Sequence, residues 1–244
     1  MDCRGKVALV TGAARRVGRA VALELARAGC DLALHYYLSE SQARELVDLV
    51  TGLGRRATAF RADLEEPAAA ERLVGQVRKA MGGPDVLVNN AALFEPTPLE
   101  SGSQAGWAAA FQVNAIAPAL LAGAAAPGMR AAGAGRIVNL VDILAERPIQ
   151  RYSAYCASKA ALISLTRSLA LELAPEITVN AIAPGIAVFP EDYDAGLRAR
   201  LVARVPLRRE GTPEGIASLV RYLVTEGDYI TGQIIAVDGG WSIA

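Results

Sequence analysis

The chain has 244 residues, 52% of them hydrophobic, which suffices for one large α/β domain with a sizeable core and argues against disorder. Lysine plus arginine equals aspartate plus glutamate at 25 each, so charge gives no reason to expect nucleic acid or an acidic membrane as a partner. The three cysteines, Cys3, Cys30 and Cys156, have unrelated spacings that form neither a disulfide framework nor a metal set, and a reducing, cytoplasmic setting is the natural expectation.

The opening MDCRGKVALVTG has no long apolar run ahead of a cleavage site, so no signal peptide is expected. No uninterrupted apolar stretch is long enough to predict a membrane span. KVALV at 6–10 reads as a strand running into TGAARRVG, and RAVALELARAG at 19–29 has helical spacing with Gly29 as its stop. DLALHY at 31–36 is a second strand, followed by a polar helix over about 40–53 and a third strand, RATAFRAD, at 56–63. The next helix is expected to begin at Pro67 and to end at Gly82-Gly83. DVLVNNA at 85–91 is a fourth strand, a long helix covers about 103–126, and GRIVNLV at 135–141 is a fifth strand. A helix fills about 153–173, and EITVNAIAPG is a sixth strand. The segment 186–212 reads as looser, with EDYDAGLR at 191–198 as a mobile substrate loop. TPEGIASLVRYLV is a helix capped by Thr212 with Pro213 in its first turn, and GQIIAVDGG is the last strand. Alternating helices and continuously apolar strands predict a single α/β domain over 1–244. It is a Rossmann-type, doubly wound, seven-stranded parallel sheet flanked by helices. Ligands bind such sheets at the carboxyl ends of the strands.

TGAARRVG joins the first strand to the first helix, and Gly12 and Gly18 permit a tight turn that brings a pyrophosphate to the helix N-terminus. An enzyme that prefers NAD needs an acid after the second strand for the ribose 2′-hydroxyl, yet ALHYYLSES has none until Glu40. Arg15, with donors from His35, Tyr36 and Ser39, suits a 2′-phosphate instead, which points to NADPH. For His35, the chain's one histidine, a hydrogen-bonded strand-end role is an equal alternative.

Tyr155 and Lys159 stand four apart on one helix face, where a neighbouring ammonium favours the phenolate and makes the tyrosine a proton carrier near neutrality. Thirteen residues before the tyrosine stands Asp142. An ionised carboxylate repels a developing alkoxide, so an acid there argues against ordinary ketone reduction. It suits a C=N substrate, whose nitrogen must gain a proton; the alternative is that Asp142 caps the following helix. Phe94 is a candidate to stack on a flat heteroaromatic substrate or else a core residue. Arg16 is placed to bond the edge of that substrate and a cofactor phosphate together, and Tyr152 to close the pocket wall.

With TGAARRVG, NNA after the fourth strand, YCASK, PG after the sixth and ITGQIIAVDGG, the chain resembles the short-chain dehydrogenase/reductases over essentially its whole length. Arg16 replaces the middle glycine of TGxxxGxG, Ala92 ends NNAA, and Asp142 stands where many members have serine. With LHYYLS and NNAALFEPTPL, these departures resemble the pteridine reductase subgroup. That resemblance implies Asp142, Tyr155 and Lys159 as catalytic residues and Asn114 as the family's helix asparagine. It implies a cofactor site built from Gly12, Arg15, Arg16, Val17, His35, Tyr36 and Ser39, extended by Asp63 and Leu64. Asn90, Ala91 and Lys159 continue it, and Pro184, Gly185 and Ile186 complete it. It implies a pterin site from Arg16, Phe94, Asp142, Tyr152 and Tyr155, a homotetramer, and reduction of dihydropterins or dihydrofolate. Leu38 stands where the subgroup has a basic residue, so one 2′-phosphate contact is missing. A carbonyl or 3-oxoacyl reductase of the same fold is the runner-up, and a non-catalytic NADP-binding protein is a third possibility.

Overall fold

In a computed structural model, which describes residues 1–189 and 193–244, the apolar runs become seven strands. They are β1 (Val7–Val10), β2 (Asp31–Tyr36), β3 (Ala57–Arg61), β4 (Val86–Asn89), β5 (Gly135–Leu140), β6 (Ile177–Pro184) and β7 (Ile234–Val237). They form one sheet in the order β3-β2-β1-β4-β5-β6-β7, every pair parallel. The described helices are α1 (Arg16–Arg27), α2 (Glu40–Gly52), α3 (Ala69–Met81), α4 (Gln104–Phe111), α5 (Ala117–Ala131), α6 (Ser153–Glu172), α7 (Ala195–Val202) and α8 (Pro213–Thr225).

Period-two alternation splits β1 between two cores. Ala8 and Val10 pack with α1, α2 and α8, while Val7 and Leu9 pack with α3 and α5. Because β1 neighbours both β2 and β4, the chain reverses its winding there, and the loops after β1 and β4 open a crevice at the carboxyl edge.

Three expected boundaries move. The helix expected from Pro67 starts instead at Ala69, because Ala68 takes a left-handed conformation with φ 59° and closes a turn first. The helix expected to end near 126 runs on through Pro127 to Ala131. Leu121, Ala122, Ala125 and Met129 are buried against the sheet along that face, which outweighs the one backbone bond that proline removes. Within the same run, 104–131, an 18-residue window of mean hydropathy 1.5 is apolar enough by composition to cross a membrane, but half of that window is covered by the rest of the fold. The segment taken as loose contains α7, capped by Asp194, whose carboxylate accepts the Leu197 N–H at 2.7 Å. Of the substrate loop expected at 191–198, residues 191 and 192 lie outside the described residues.

Glycine is required where α1 begins. A Cβ at Gly18 would stand 2.2 Å from the Gly12 carbonyl oxygen and 2.6 Å from Asn90 Nδ2. Gly18→Ala should therefore cost about 1–3 kcal/mol through overpacking, read as a lower urea midpoint with unchanged slope. A midpoint equal to that of the parent would mean that the loop and β4 are not in contact.

Candidate active site

The site is assembled from strand ends. Asn90, just past β4, ties itself to the loop after β1: its Nδ2 donates to Thr11 O at 2.8 Å and to Gly12 O at 3.1 Å. The Asn90 and Ala91 amides both donate to Thr11 Oγ1, at 2.9 and 3.0 Å. His35 fixes the same loop from the other side. Its Nδ1 accepts the Gly12 N–H at 3.1 Å, and its Nε2 lies 3.1 Å from the Ala62 carbonyl, which requires the proton on Nε2. Both ring nitrogens are thus engaged, so the strand-end reading of His35 holds and the ring is not a spare donor for a phosphate. Burial pushes its pKa down to about 4.

Arg15 and Arg16 stand exposed at the start of α1, whose free amides favour anions. Arg16 has φ 49°, in the left-handed region, which explains why glycine is the more usual residue there.

At the end of β5 the reactive groups converge. Lys159 is buried, and its Nζ donates to Leu140 O at 2.7 Å. Two residues on, the Asp142 carboxyl serves two partners. Its Oδ1 accepts the Leu144 N–H at 2.9 Å, capping a short 3₁₀ turn at Ile143–Ala145, and its Oδ2 accepts the Tyr155 hydroxyl at 2.7 Å. The capping and site-facing alternatives for Asp142 are therefore both realised, one oxygen each.

Burial raises the Asp142 pKa, and the hydrogen bonds to Leu144 and Tyr155 offset this only in part. Burial also draws Lys159 down to about 8. The expectation that Lys159 lowers the tyrosine pKa is corrected. Burial, with the Asp142 charge second, holds the Tyr155 phenol well above its usual value, while the Lys159 ammonium stands 5.8 Å from the ring centroid. Burial thus shifts both Asp142 and Tyr155 toward their protonated forms.

Phe94 is partly exposed. One ring face stacks on Tyr152, with centroids 4.4 Å apart and planes 12° apart, and Phe94 meets Tyr155 edge-on at 4.7 Å. It is therefore not a core residue. Asn114 lies in a π-helical turn (Gln112–Ile116) and clamps the backbone just before Phe94. Its Oδ1 accepts the Leu93 N–H at 2.8 Å, and its Nδ2 donates to Leu93 O at 3.0 Å.

Most of these groups line one cleft of about 590 Å³. Gly12, Arg15, Arg16, Val17, His35, Tyr36 and Ser39 form one stretch of its wall, with Asp63 and Leu64 beyond them. Asn90, Ala91, Phe94, Asp142, Tyr155, Lys159, Pro184 and Gly185 also line it. Two expected residues are not in the wall. Ile186 is set back, its carbonyl accepting the Gly211 N–H, and Ala187 and Val188 take its place. Tyr152 stands behind Phe94. Val113, in the π-helical turn, and Tyr37 and Val188, in loops, were missed by sequence reasoning; a single apolar or aromatic residue carries no signal of which cavity it will face.

A doubly wound sheet with a glycine cradle after β1 and a Tyr–Lys pair beside a carboxyl group defines a dinucleotide-binding oxidoreductase. A family model described as enoyl-(acyl carrier protein) reductase matches residues 12–242. The chain belongs to this family, the short-chain dehydrogenase/reductases. Pteridine reductase 1 of Leishmania tarentolae is 37% identical to it over 280 aligned positions, covering 97% of this chain and 96% of that one. The 3-oxoacyl-[acyl-carrier-protein] reductase FabG of Staphylococcus epidermidis is 34% identical, covering 96% and 98%. Among solved structures, FolM alternative dihydrofolate reductase 1 from Brucella canis, complexed with NADP, is 34% identical with a TM-score of 0.93, covering 100% and 96%.

The latch at His35 is open to direct measurement. With one histidine in the chain, its ring signals are assigned by default in an NMR titration, and their midpoint should fall near pH 4 instead of the ordinary 6.5. A midpoint near 6.5 would mean a solvated ring and an unlatched loop.

Proposed function

We propose that the protein is an NADPH-dependent reductase of dihydropterins or dihydrofolate. The observation that carries the reading is the Asp142 carboxyl, 2.7 Å from the Tyr155 hydroxyl, where a ketone reductase needs a neutral donor. The relatives support it at the level of family. Pteridine reductase 1 and FolM dihydrofolate reductase are about as similar to this chain as FabG is, so the choice of substrate rests on the site residues.

The cleft fits the cofactor: Gly12 and Gly18 let the loop after β1 close tightly against Asn90 and Ala91, and the N-terminus of α1, whose free amides favour a phosphate, faces the cleft. In this reading Arg15, Arg16, Tyr36 and Ser39 hold phosphates, and Asp63 and Leu64 hold the adenine end. Asn90, Ala91, Lys159, Pro184 and Gly185 hold the nicotinamide ribose end. Bound there, NADPH supplies the hydride. Phe94 offers the face not covered by Tyr152 to a flat ring, and Arg16 bonds the edge of that ring. Tyr155 and Asp142 keep a proton at the substrate nitrogen, because burial raises both pKa values. Lys159 orients the ribose and holds α6 to the strand end.

The sign of the pH dependence follows. The protonated fraction of Asp142 falls as pH rises through its raised pKa, so turnover of dihydropterin should increase from neutral into mildly acidic solution. Asp142→Asn should lower kcat by about 10²-fold, the scale for a lost positioned acid. Asp142→Ser should also lose dihydropterin turnover, while a β-ketoacyl thioester tested in the same NADPH assay should be a poor substrate of the parent. Full dihydropterin turnover by Asp142→Ser with an unaltered pH profile would return the carboxyl group to a purely capping role and favour the carbonyl-reductase reading.

The assembly belongs to the same proposal. Ile116, between α4 and α5, and Leu171 on α6 are exposed apolar residues on helices rich in alanine, which suits burial between subunits in a homotetramer. Light scattering at micromolar concentration should give four times the 25.5 kDa chain mass. A monomer would refute it.

A further inference from the structure

The N-terminus of the helix that carries Tyr155 lacks a cap of its own. Its N-cap residue, Tyr152, makes no side-chain cap hydrogen bond, and a phenol has no oxygen near enough to its own backbone to replace the usual serine, threonine or aspartate. The second amide of the helix, Ala154 N–H, is nevertheless satisfied. It donates to Thr97 Oγ1 at 3.1 Å, from a segment 57 residues away in sequence. The Thr97 N–H in turn donates to the carbonyl of Arg151, which sits in the left-handed region with φ 70° just ahead of the helix. Thr97 is buried, and its Cγ2 faces Gly106 in α4, 3.6 Å from where a Cβ would stand at that glycine.

Phe94 is three residues before Thr97, with Pro96 stiffening the interval. The segment is pinned at one end by Asn114 on Leu93 and at the other by Thr97 on α6, while the Phe94 ring between them lies on Tyr152 and Tyr155. We infer that Thr97 is a positioning residue: it caps the catalytic helix from outside and sets the spacing between the Phe94 ring and the Tyr155 hydroxyl. Thr97 acts through its neighbours and lines no part of the cleft wall. Its effect on turnover rests on the reading of Phe94 as the substrate-stacking ring. Its effect on the helix does not.

The test separates the two. Thr97→Val keeps the shape and removes the oxygen; Thr97→Ser keeps the oxygen and removes the methyl group. In Thr97→Val, hydrogen exchange at Ala154 should speed up by roughly fivefold, the size of a lost helix cap, with Thr97→Ser close to the parent. The dihydropterin KM should rise by about fivefold or more in Thr97→Val and return on Thr97→Ser, while NADPH binding stays within about twofold in both. Thr97→Ala carries the same expectation should the valine variant not fold. Equal Ala154 protection in the parent and the oxygen-less variant overturns the cap, whatever the substrate. Faster exchange with an unchanged KM overturns the positioning role. Parallel loss of NADPH and substrate binding marks a general structural defect and overturns it too. If the parent itself does not turn over dihydropterin, the substrate reading fails, and the exchange data still decide the cap.

Discussion

A buried ammonium must find an acceptor, and in this fold that requirement sets the geometry of the site. Lys159 meets it with the carbonyl of Leu140, the last residue of β5. The bond pins α6 against the strand end. One turn earlier on the same helix face, Tyr155 then falls opposite Asp142, two residues past Leu140, at hydrogen-bond distance. A helix slipped by one residue would lose the Lys159 bond and the Tyr155 bond together.

The same face of α6 is secured further along by a buried polar chain. Asn89 Nδ2 donates to Asn139 Oδ1, Asn139 Nδ2 donates to Thr166 Oγ1, and Thr166 donates to Leu162 O. This joins β4, β5 and α6 at neighbouring heights of the sheet. Polar groups in a core cost free energy unless paired, and here one atom, Asn89 Oδ1, is left without a protein partner. What the chain of bonds contributes is register: apolar contacts alone tolerate sliding, whereas a sequence of directional bonds does not.

Two of the four described non-glycine residues with left-handed backbone lie near the cleft. Arg16 stands in a left-handed conformation in the loop after β1, Arg151 in another just before α6, and both border the cleft or the helix that lines it. The hydrogen bonds of His35, Asn90 and Thr97 hold these turns in place. A family-level likeness near 35% identity to proteins named for different activities fits this picture. The sheet and its cradle are common to them, and selectivity is left to a few side chains at the strand ends.

Much of this was legible in the amino-acid order alone. Apolar runs marked the strands, glycine at 12 and 18 marked the cradle, and the spacing of Tyr155 and Lys159 marked one helix face, because each depends on local periodicity or a single backbone conformation. Local rules failed where long-range burial won, as in the passage of α5 through Pro127, and where an element was short and only half covered, as with α7. The pKa values of Tyr155 and Lys159 were beyond reach, because desolvation depends on everything that packs around a group and has no trace in its neighbours along the chain. So were the engagement of both His35 nitrogens, the two partners of Asp142 and the cap that Thr97 lends to α6. Each joins groups distant in sequence, and only the folded sheet brings the ends of its strands to one edge.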